Sequence, residues 1–264
     1  MTDWLKERVK LGRTALRTGR LGLGASYMAT TKAWEAAYEA GCNLFYYGAL
    51  RTPPMAKAIH NILARGNRDD IVIVLQSHMR SSRILEKSFF RGLKRLGIER
   101  ADVLLLGQHS GFPNDKILDK AEELREKGLF RYLALSSHHR PLFKELVKDS
   151  RFDLFWLRYN AANRGAEEDV FPCLPEDRPG IVGFTATRMM TLVRSRKIPK
   201  SETRPTAGDC YRFVLANPNV DAVITGPMRK KHMMQNLRET AKGPMSKEEI
   251  EWMRRIGDYV YGRR

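Results

Sequence analysis

The run Ile71–Leu75, IVIVL, decides the fold class. All five side chains are apolar, so the strand that the run predicts is buried on both faces. A strand with two buried faces is typical of a parallel sheet covered by helices. Asp102–Leu106 (DVLLL) and Leu154–Tyr159 (LFWLRY) are further apolar runs of strand length. The sequence therefore predicts an α/β fold built on a parallel sheet.

Strand-like and helix-like segments alternate along the chain. The predicted strands are Leu21–Ser26, Asn43–Tyr47, Ile71–Leu75, Asp102–Leu106, Tyr132–Ser136, Leu154–Tyr159, Ile181–Thr185 and Ala222–Thr225. The helices predicted between them and after the last are Thr30–Ala40, Met55–Arg65, a helix from Ser81 or Ser82 to Leu96, Asp115–Lys127, Pro141–Lys148, Ala166–Leu174, Ala207–Ala216 and Lys231–Thr240. A further helix, Ser246–Tyr261, opens with a capping box of Ser246 and Glu249. This order predicts a single-domain (β/α)₈ TIM barrel over residues 1–264 with an extra C-terminal helix. An open doubly wound sheet remains the alternative, because periodicity does not reveal closure.

The composition indicates an anionic partner. Apolar residues make up 42% and charged residues 29%, as in ordinary globular proteins, and the formal net charge is +17. Such a charge favours a nucleotide cofactor, a nucleic acid or an anionic membrane surface. The basic residues are densest in Arg188–Arg204 and Arg229–Lys231. No aromatic residues of the kind that stack on bases are interleaved there, which makes nucleic-acid binding the weaker interpretation.

Cysteine usage and the N-terminus predict a cytoplasmic protein. Cys42, Cys173 and Cys210 are isolated and odd in number, which indicates a reducing compartment without a disulfide or zinc framework. The opening MTDWLKERVKLG has no apolar leader, and no stretch approaches the ~20 apolar residues of a membrane span. We therefore expect no membrane partner. The oligomeric state is left open.

A barrel carries its active site on the loops after the carboxyl ends of its strands. This rule selects Ser26 and Tyr27, Tyr46–Arg51, Gln76–His78, Gly107–His109, Ser136–His139, Tyr159–Asn160, Phe184–Arg188 and Gly226–Arg229. The glycines of the first strand, including Gly24, allow a ligand to approach the backbone closely. Barrel phosphate sites commonly use the last two loops, where the two dense basic stretches lie. We expect an anionic group there, and a merely solvated basic surface is the alternative.

Other chemistries lack support in the sequence. His138 and His139 are adjacent and diverge, and no spacing completes a tetrahedral metal set, so no metal is predicted. Motifs of serine hydrolases, P-loops and paired carboxylates are also missing.

Several segments resemble the aldo-keto reductases, in family order. They are LGRTALRTGRLGLGAS before and along the first strand, AGCNLF at the second, LKRLGIERADVLLL at the fourth, GLFRYLALSS at the fifth, DLFWLRYN at the sixth and VITGPMRKKHMMQN at the eighth. The resemblance implies a barrel that binds NADPH, or less often NADH, and reduces a small carbonyl substrate by hydride transfer.

The resemblance also implies the residues that contact the nucleotide. Arg229 matches a contact to the adenosine end with its 2′-phosphate, and Asn236 a contact to adenine. Ser136 matches the contact to the cofactor amide, and Ser137 stands where the family has an asparagine. Phe184 matches the aromatic residue that stacks on nicotinamide, although a core residue on a buried strand is the alternative. With Gly24, Arg188 and Gly226, these residues form the predicted cofactor site.

The catalytic positions of the family are all substituted. The family uses Asp, Tyr, Lys and His, and the matching positions here hold Tyr46, Arg51, Gln76 and Gly107. A tyrosine has an unperturbed pKa of about 10 and can donate a proton when a cation stabilises the phenolate. Tyr46 or Tyr47 with Arg51 can supply that acid and cation. The alternative is that Tyr46 fills the barrel mouth and Tyr47 packs outward.

Two functions follow from these observations. The first is an NADP(H)-dependent reductase with a rearranged catalytic set, in which His78, His109, His138 and His139 can relay protons. The second is a catalytically inactive barrel that acts as a nucleotide-binding sensor or interaction protein. Turnover separates them, whereas cofactor binding does not.

Overall fold

The computed structural model describes residues 4–24, 29–48 and 53–262. It opens with an antiparallel hairpin of two short strands, β1 (Val9–Lys10) and β2 (Arg17–Thr18). Leu11 and Leu16 of this hairpin pack against the apolar side chains inside the barrel. The sequence predicted only a basic turn here, because two-residue strands leave no periodic signal.

Eight parallel strands form a closed barrel. They are β3 (Leu21–Gly24), β4 (Leu44–Tyr47), β5 (Val72–Ser77), β6 (Val103–Leu106), β7 (Tyr132–Ser137), β8 (Leu154–Arg158), β9 (Gly180–Phe184) and β10 (Ala222–Thr225). Each strand pairs with the next along the chain, and β10 pairs in parallel with β3 to close the ring. Closure confirms the barrel and rules out the open sheet.

Helices cover the outside of the barrel. They are α1 (Thr31–Glu39), α2 (Pro53–Leu63), α3 (Ser82–Leu96), α4 (Asp115–Glu126), α5 (Phe143–Leu146), α6 (Ala166–Asp169), α7 (Thr191–Arg194), α8 (Ala207–Leu215), α9 (Lys230–Thr240) and α10 (Lys247–Tyr261). Prolines shorten two predicted helices, so that 3₁₀ turns at Arg140–Leu142 and Phe171–Cys173 replace part of each. The short helix α7 was not predicted. The predicted capping box at the start of α10 is confirmed.

Successive side chains along each strand point alternately into the barrel and out toward the helices, which gives an inner core and an outer core. Leu44, Val74, Leu105 and Trp156 pack inside the barrel, with Tyr46 and Phe184 at the edge of the same cluster. The residues between them face the helices and join the larger outer core. The parity of a residue therefore decides whether a strand-end side chain reaches the mouth of the barrel.

A repeated polar contact fixes the floor, which is the amino-terminal end of the barrel. One polar residue stands directly before every second strand: Asn43, Asp102, Asp153 and Asp221. Each accepts a hydrogen bond of 2.8–2.9 Å from a backbone N–H in or just before the preceding strand. The three aspartates also form ion pairs of 2.7–3.1 Å with Arg68, Arg125 and Arg178. These contacts tie neighbouring strands together in register.

Candidate functional site

The inner faces of the strands bring several side chains to the mouth of the barrel. Tyr46 at the end of β4 and Gln76 on the next strand are both half-buried, and the Tyr46 hydroxyl donates a hydrogen bond to the side-chain oxygen of Gln76. Tyr46 is therefore a phenol held at the mouth by a neutral amide.

Tyr47 lies on the opposite face of the same strand. Its side chain is 3% exposed and belongs to the outer core, between the barrel and the helices. The structure thus brings Tyr46 to the mouth and does not bring Tyr47 there. Arg51, the predicted cation, lies outside the described residues.

The end of β6 has no side chain where the strand meets the mouth. A methyl group built on Gly107 would lie 2.5 Å from Nδ1 of His78 and 2.7 Å from the amide nitrogen of Gln76. The space above Gly107 is therefore filled by these two side chains from β5 and the loop after it. Arg80 holds the arrangement, since its guanidinium donates to the carbonyls of His78, Gly107 and Gln108 at 3.0, 2.8 and 2.7 Å. We call Gln76, His78, Arg80, Gly107 and His109 the β5–β6 rim cluster.

His109 is a buried member of this cluster. It is 6% exposed, and its Nε2 has no hydrogen-bond partner among the residues that the structure describes. Burial, together with Arg80 and His78, lowers the pKa of His109 to about 4. Burial and Arg80 also lower the pKa of His78. A neutral imidazole carries one donor and one acceptor nitrogen, so His109 can exchange hydrogen bonds with a ligand without adding charge.

The two serines at the end of β7 have different surroundings. Ser136 is on the inner face, and its hydroxyl accepts a 2.7 Å hydrogen bond from the backbone N–H of Gln108. Ser137 is on the outer face, where its hydroxyl donates to the carbonyl of His109 and accepts from the N–H of His139. Ser136 lies where a ligand in the mouth can approach, whereas Ser137 holds the loops together.

Phe184 forms a second group on the other side of the mouth. Its ring meets the ring of His138 edge to face, with 5.2 Å between centroids. Arg158 is the register partner of Phe184 on β8, and after burial it is the second cause that lowers the pKa of His138. The described contacts of His138 are therefore with Phe184 and Arg158, and the relay that the sequence predicted stays a prediction.

The two basic stretches converge at the start of α9. Arg229 is the N-cap residue of this helix, its side chain makes no capping hydrogen bond, and the first turn contains no acidic residue. Burial comes first among the causes that lower the pKa of His232, followed by Lys231, Arg229 and Arg194. Arg194 belongs to the first basic stretch, so both stretches contribute positive charge near the start of α9. An uncapped helix terminus with surrounding cations is a site where phosphate binds readily.

The remaining predicted cofactor residues make contacts within the protein. Arg188 donates to the carbonyl of Val260 at 3.1 Å and lies over the ring of Tyr261, which draws it toward α10. The amide of Asn236 is 5% exposed and donates to the hydroxyl of Thr225 at 3.0 Å.

The two predicted glycines lie on the strands and loop next to these residues. Gly24 leaves room for Ile224, whose methyl carbon would lie 2.8 Å from an added side chain. Gly226 lies in the segment between β10 and α9. Of the predicted phosphate contacts, Arg229 is the one whose side chain is exposed and without a hydrogen-bond partner among the described residues.

The inner face of the barrel suits a polar ligand in two respects. The indole N–H of Trp156 is buried on the inner face without an acceptor, and Nε2 of His109 lacks a partner, both within the described residues. Two unsatisfied polar atoms near the mouth suit a polar ligand, because a buried polar group without a partner costs free energy. Phe184 supplies an apolar surface beside them.

Two residues at this site, Arg80 and Arg158, were missed by the sequence reasoning. Both line the mouth, as does Trp156, which the family resemblance matches to a glutamine that contacts the cofactor. For Arg158 a signal existed, since alternation along Leu154–Arg158 places it on the same face as Leu154 and Trp156. No sequence pattern predicts the clamp that Arg80 makes across two loops.

The described residues contain neither a cluster of metal ligands nor a membrane-spanning helix. Within residues 4–24, 29–48 and 53–262, no three His, Cys, Asp or Glu side chains come together as a metal site. No helix in these ranges is both long and apolar enough to cross a bilayer.

Comparison with known proteins gives a fold and a distant relative. No protein-family model matches the chain. The chain is 23% identical over 290 residues to YqkF of Bacillus subtilis (strain 168), an uncharacterised oxidoreductase, with 92% of this chain and 94% of the relative covered. The holo form of the aldo-keto reductase AKR11C1 from Bacillus halodurans superposes with a TM-score of 0.80 at 20% identity, covering 95% of this chain and 96% of the other. Its apo form gives a TM-score of 0.76 over the same shares. The chain therefore has the barrel fold of an aldo-keto reductase.

Proposed function

We propose that the chain is an NADP(H)-dependent oxidoreductase of the aldo-keto reductase type, which reduces a small carbonyl compound at the mouth of its barrel. The observation that carries the proposal is the convergence of the two basic loops on the uncapped start of α9, in the fold shared with AKR11C1. The phosphates of a dinucleotide cofactor suit the basic start of α9. Phe184 and Ser136 line the mouth of the barrel beside it. The distant relationship to YqkF, which is named an oxidoreductase, supports the same conclusion.

The residues have separate roles in this proposal. Arg229 and the N–H groups that open α9 bind the phosphates of the adenosine end. Ser136 and the face of Phe184 orient the nicotinamide end. The bound cofactor supplies a hydride to the carbonyl carbon, and the protein has to supply a proton to the oxygen.

Tyr46 is the residue that we assign as proton donor. Its hydroxyl is the phenol on the inner face of β4, and Gln76 orients it. His78 and His109 lie next to Gln76 and Gly107 with lowered pKa values, so at neutral pH they accept or donate hydrogen bonds as uncharged rings. This set stands in place of the four catalytic residues that the family resemblance implied.

Cofactor binding is tested by titrating the purified protein with NADPH and NADH and following the nucleotide fluorescence. We expect NADPH to bind more tightly than NADH, and the variant Arg229→Glu to weaken NADPH binding about tenfold or more, because it replaces a phosphate contact by a repulsive charge. Lys94→Glu, at the far end of α3, is the matched control for net charge and should leave binding unchanged. Equal affinity of wild type and Arg229→Glu would refute the assignment of Arg229.

Turnover is tested with a panel of aldehydes and quinones. Tyr46→Phe removes the proposed donor and should lower kcat about a hundredfold or more, the range of a single acid catalyst. Tyr47→Phe removes a hydroxyl from the outer core and should leave kcat nearly unchanged. Unimpaired rates in both variants would exclude the tyrosine as the acid.

A non-catalytic nucleotide-binding barrel is the second candidate. The hydrogen bond from Tyr46 to Gln76 favours it, because the phenol proton is already donated to a neutral amide. NADPH binding without oxidation across the whole panel would support this function over the first.

A further inference from the structure

The segments that directly follow the barrel strands carry basic residues and no acidic ones. In the sequence, none of the segments that follow the eight strands contains Asp or Glu, namely 25–30, 48–52, 78–81, 107–114, 138–139, 159–165, 185–190 and 226–229. The ionisable side chains of these segments and of the β8 end include Arg80, His109, His138, Arg158, Arg164 and Arg188. A concave mouth lined by charges of one sign concentrates ligands of the opposite sign.

Arg158 differs from the neighbouring arginines of this mouth, Arg229 at the exposed start of α9 excepted. Arg80 bonds to three loop carbonyls, Arg164 pairs with Asp258 at 2.7 Å, and Arg188 donates to Val260. Arg140 pairs with Asp169 at 2.8 Å. Arg158 is half-buried on the inner face of β8, and in the described part of the chain its guanidinium has neither an ion pair nor a hydrogen bond.

The surroundings of Arg158 define the shape of the complementary ligand. It stands beside Phe184 in the register of the sheet, with His138 close enough to have its pKa lowered by the guanidinium. Trp156 lies one inner-face position deeper on the same strand, and its indole N–H has no acceptor among the residues that the structure describes. These groups offer hydrogen-bond donors and an apolar ring side by side. Carboxylates match this set, because a guanidinium binds both of their oxygens in one plane.

We propose that the substrate is an anionic carbonyl compound, an aldehyde or ketone that also carries a carboxylate, and that Arg158 binds this carboxylate. The inference rests on the proposed function, since it names the substrate class of the same site. Phosphates of a nucleotide share the chemistry that Arg158 recognises. They are assigned instead to the exposed cations at the start of α9, while Arg158 lies on the inner face of β8.

A matched pair of substrates isolates the effect of the negative charge on the substrate. 4-Formylbenzoate and its methyl ester present the same ring and the same aldehyde, and only the first is an anion. With NADPH, the wild type should show a kcat/KM about tenfold or more higher for the acid. Arg158→Gln should remove this preference by lowering kcat/KM for the acid alone. Lys94→Gln, which removes the same charge far from the mouth, should keep the preference.

Binding without turnover separates this inference from the proposed function. Calorimetric titration of the cofactor-free protein with 4-formylbenzoate should show binding in the wild type, binding weakened about tenfold in Arg158→Gln, and intermediate binding in Arg158→Lys, which keeps the charge but not the planar fork. This result would stand even if no carbonyl were reduced. Thermal melting of each variant checks that the barrel is intact.

Three outcomes would overturn the inference. The first is an equal kcat/KM for acid and ester in the wild type, and the second is an equal loss for both in Arg158→Gln. The third is a weakened affinity for NADPH in Arg158→Gln together with an unchanged affinity for 4-formylbenzoate, which would assign Arg158 to the cofactor phosphates.

Discussion

The two ends of the barrel are built on opposite principles. At the floor, the aspartates before β6, β8 and β10 each satisfy a strand N–H and pair with an arginine. At the mouth, the segments directly after the strands contain no Asp or Glu in the sequence, and Arg158 has no ion pair among the described residues. Nε2 of His109 and the indole N–H of Trp156 also lack partners there. Even the floor groove of about 270 Å³ is lined by both signs of charge, among them Lys10, Arg13, Glu176 and Asp177. The floor carboxylates are satisfied from within the chain, although Nε of Arg20 and Nε of Arg125 lack partners there among the described residues. At the mouth we expect a ligand to complete the unsatisfied groups.

The largest loss of stability is expected from a substitution at the floor. The carboxylate of Asp221 accepts hydrogen bonds of 2.7–2.9 Å from the N–H of Ile181 and from both terminal nitrogens of the Arg178 guanidinium. Asp221→Ala removes all three. Since one partner of a largely buried pair is left unpaired, the free energy of unfolding should fall by about 3 kcal/mol. Urea unfolding measures this loss. Asp221→Asn keeps an acceptor oxygen and should lose less, and an equal loss in both variants would show that the charge contributes nothing.

A glycine at the floor should be nearly as sensitive. A methyl group on Gly12 would lie 2.2 Å from the backbone nitrogen of Gly180, and φ is +49°. Because backbone cannot move aside cheaply, Gly12→Ala should lower the free energy of unfolding by about 2–3 kcal/mol. Thermal melting detects such a loss, and an unchanged melting temperature would contradict the tight packing of the hairpin on the floor.

The buried histidine at the mouth makes stability depend on pH. The pKa of His109 is lowered to about 4 in the folded chain from an ordinary 6.5, so between these values the unfolded chain binds the extra proton. Stability is therefore retained above pH 6.5 and lost as the pH falls toward 4. His109 should contribute a loss on the order of 2 kcal/mol between pH 7 and pH 5. Urea unfolding across this range should give a shallower decline for His109→Gln than for the wild type. Parallel curves for His109→Gln and wild type would contradict the burial of a neutral imidazole.

The smallest effect on stability is expected for the glycine at the mouth. A methyl group on Gly107 would meet the ends of two side chains, His78 and Gln76, which can rotate away. Gly107→Ala should therefore cost less than about 1 kcal/mol, although it displaces the partner of Tyr46. Comparison of its melting temperature with that of Gly12→Ala is the check. A loss as large as at Gly12 would mean that the mouth is as rigid as the floor.

The sequence predicted the fold more completely than the site, for a physical reason. Runs such as Ile71–Leu75 carry their own burial signal, and the closing glycines and capping residues mark where helices begin and end. The same reasoning placed Tyr46, Ser136 and Phe184 at strand ends. Their neighbours depend on tertiary contacts between loops: the ring of His78 over Gly107, the hydrogen bonds of Arg80 to three loop carbonyls, and the contact of His138 with Phe184. The sequence left open whether Tyr46 or Tyr47 is the acid, with an inward Tyr46 and an outward Tyr47 as one alternative, and the structure places the two side chains in that way.

The central claim, that a nicotinamide nucleotide completes the mouth, is tested most directly by hydrogen–deuterium exchange with and without NADPH. We predict slower exchange in peptides covering residues 185–194 and 226–236 when NADPH is present, and unchanged exchange in floor peptides covering residues 9–20 and 176–181. Unchanged exchange at the mouth at saturating NADPH, or protection confined to the floor, would contradict the account.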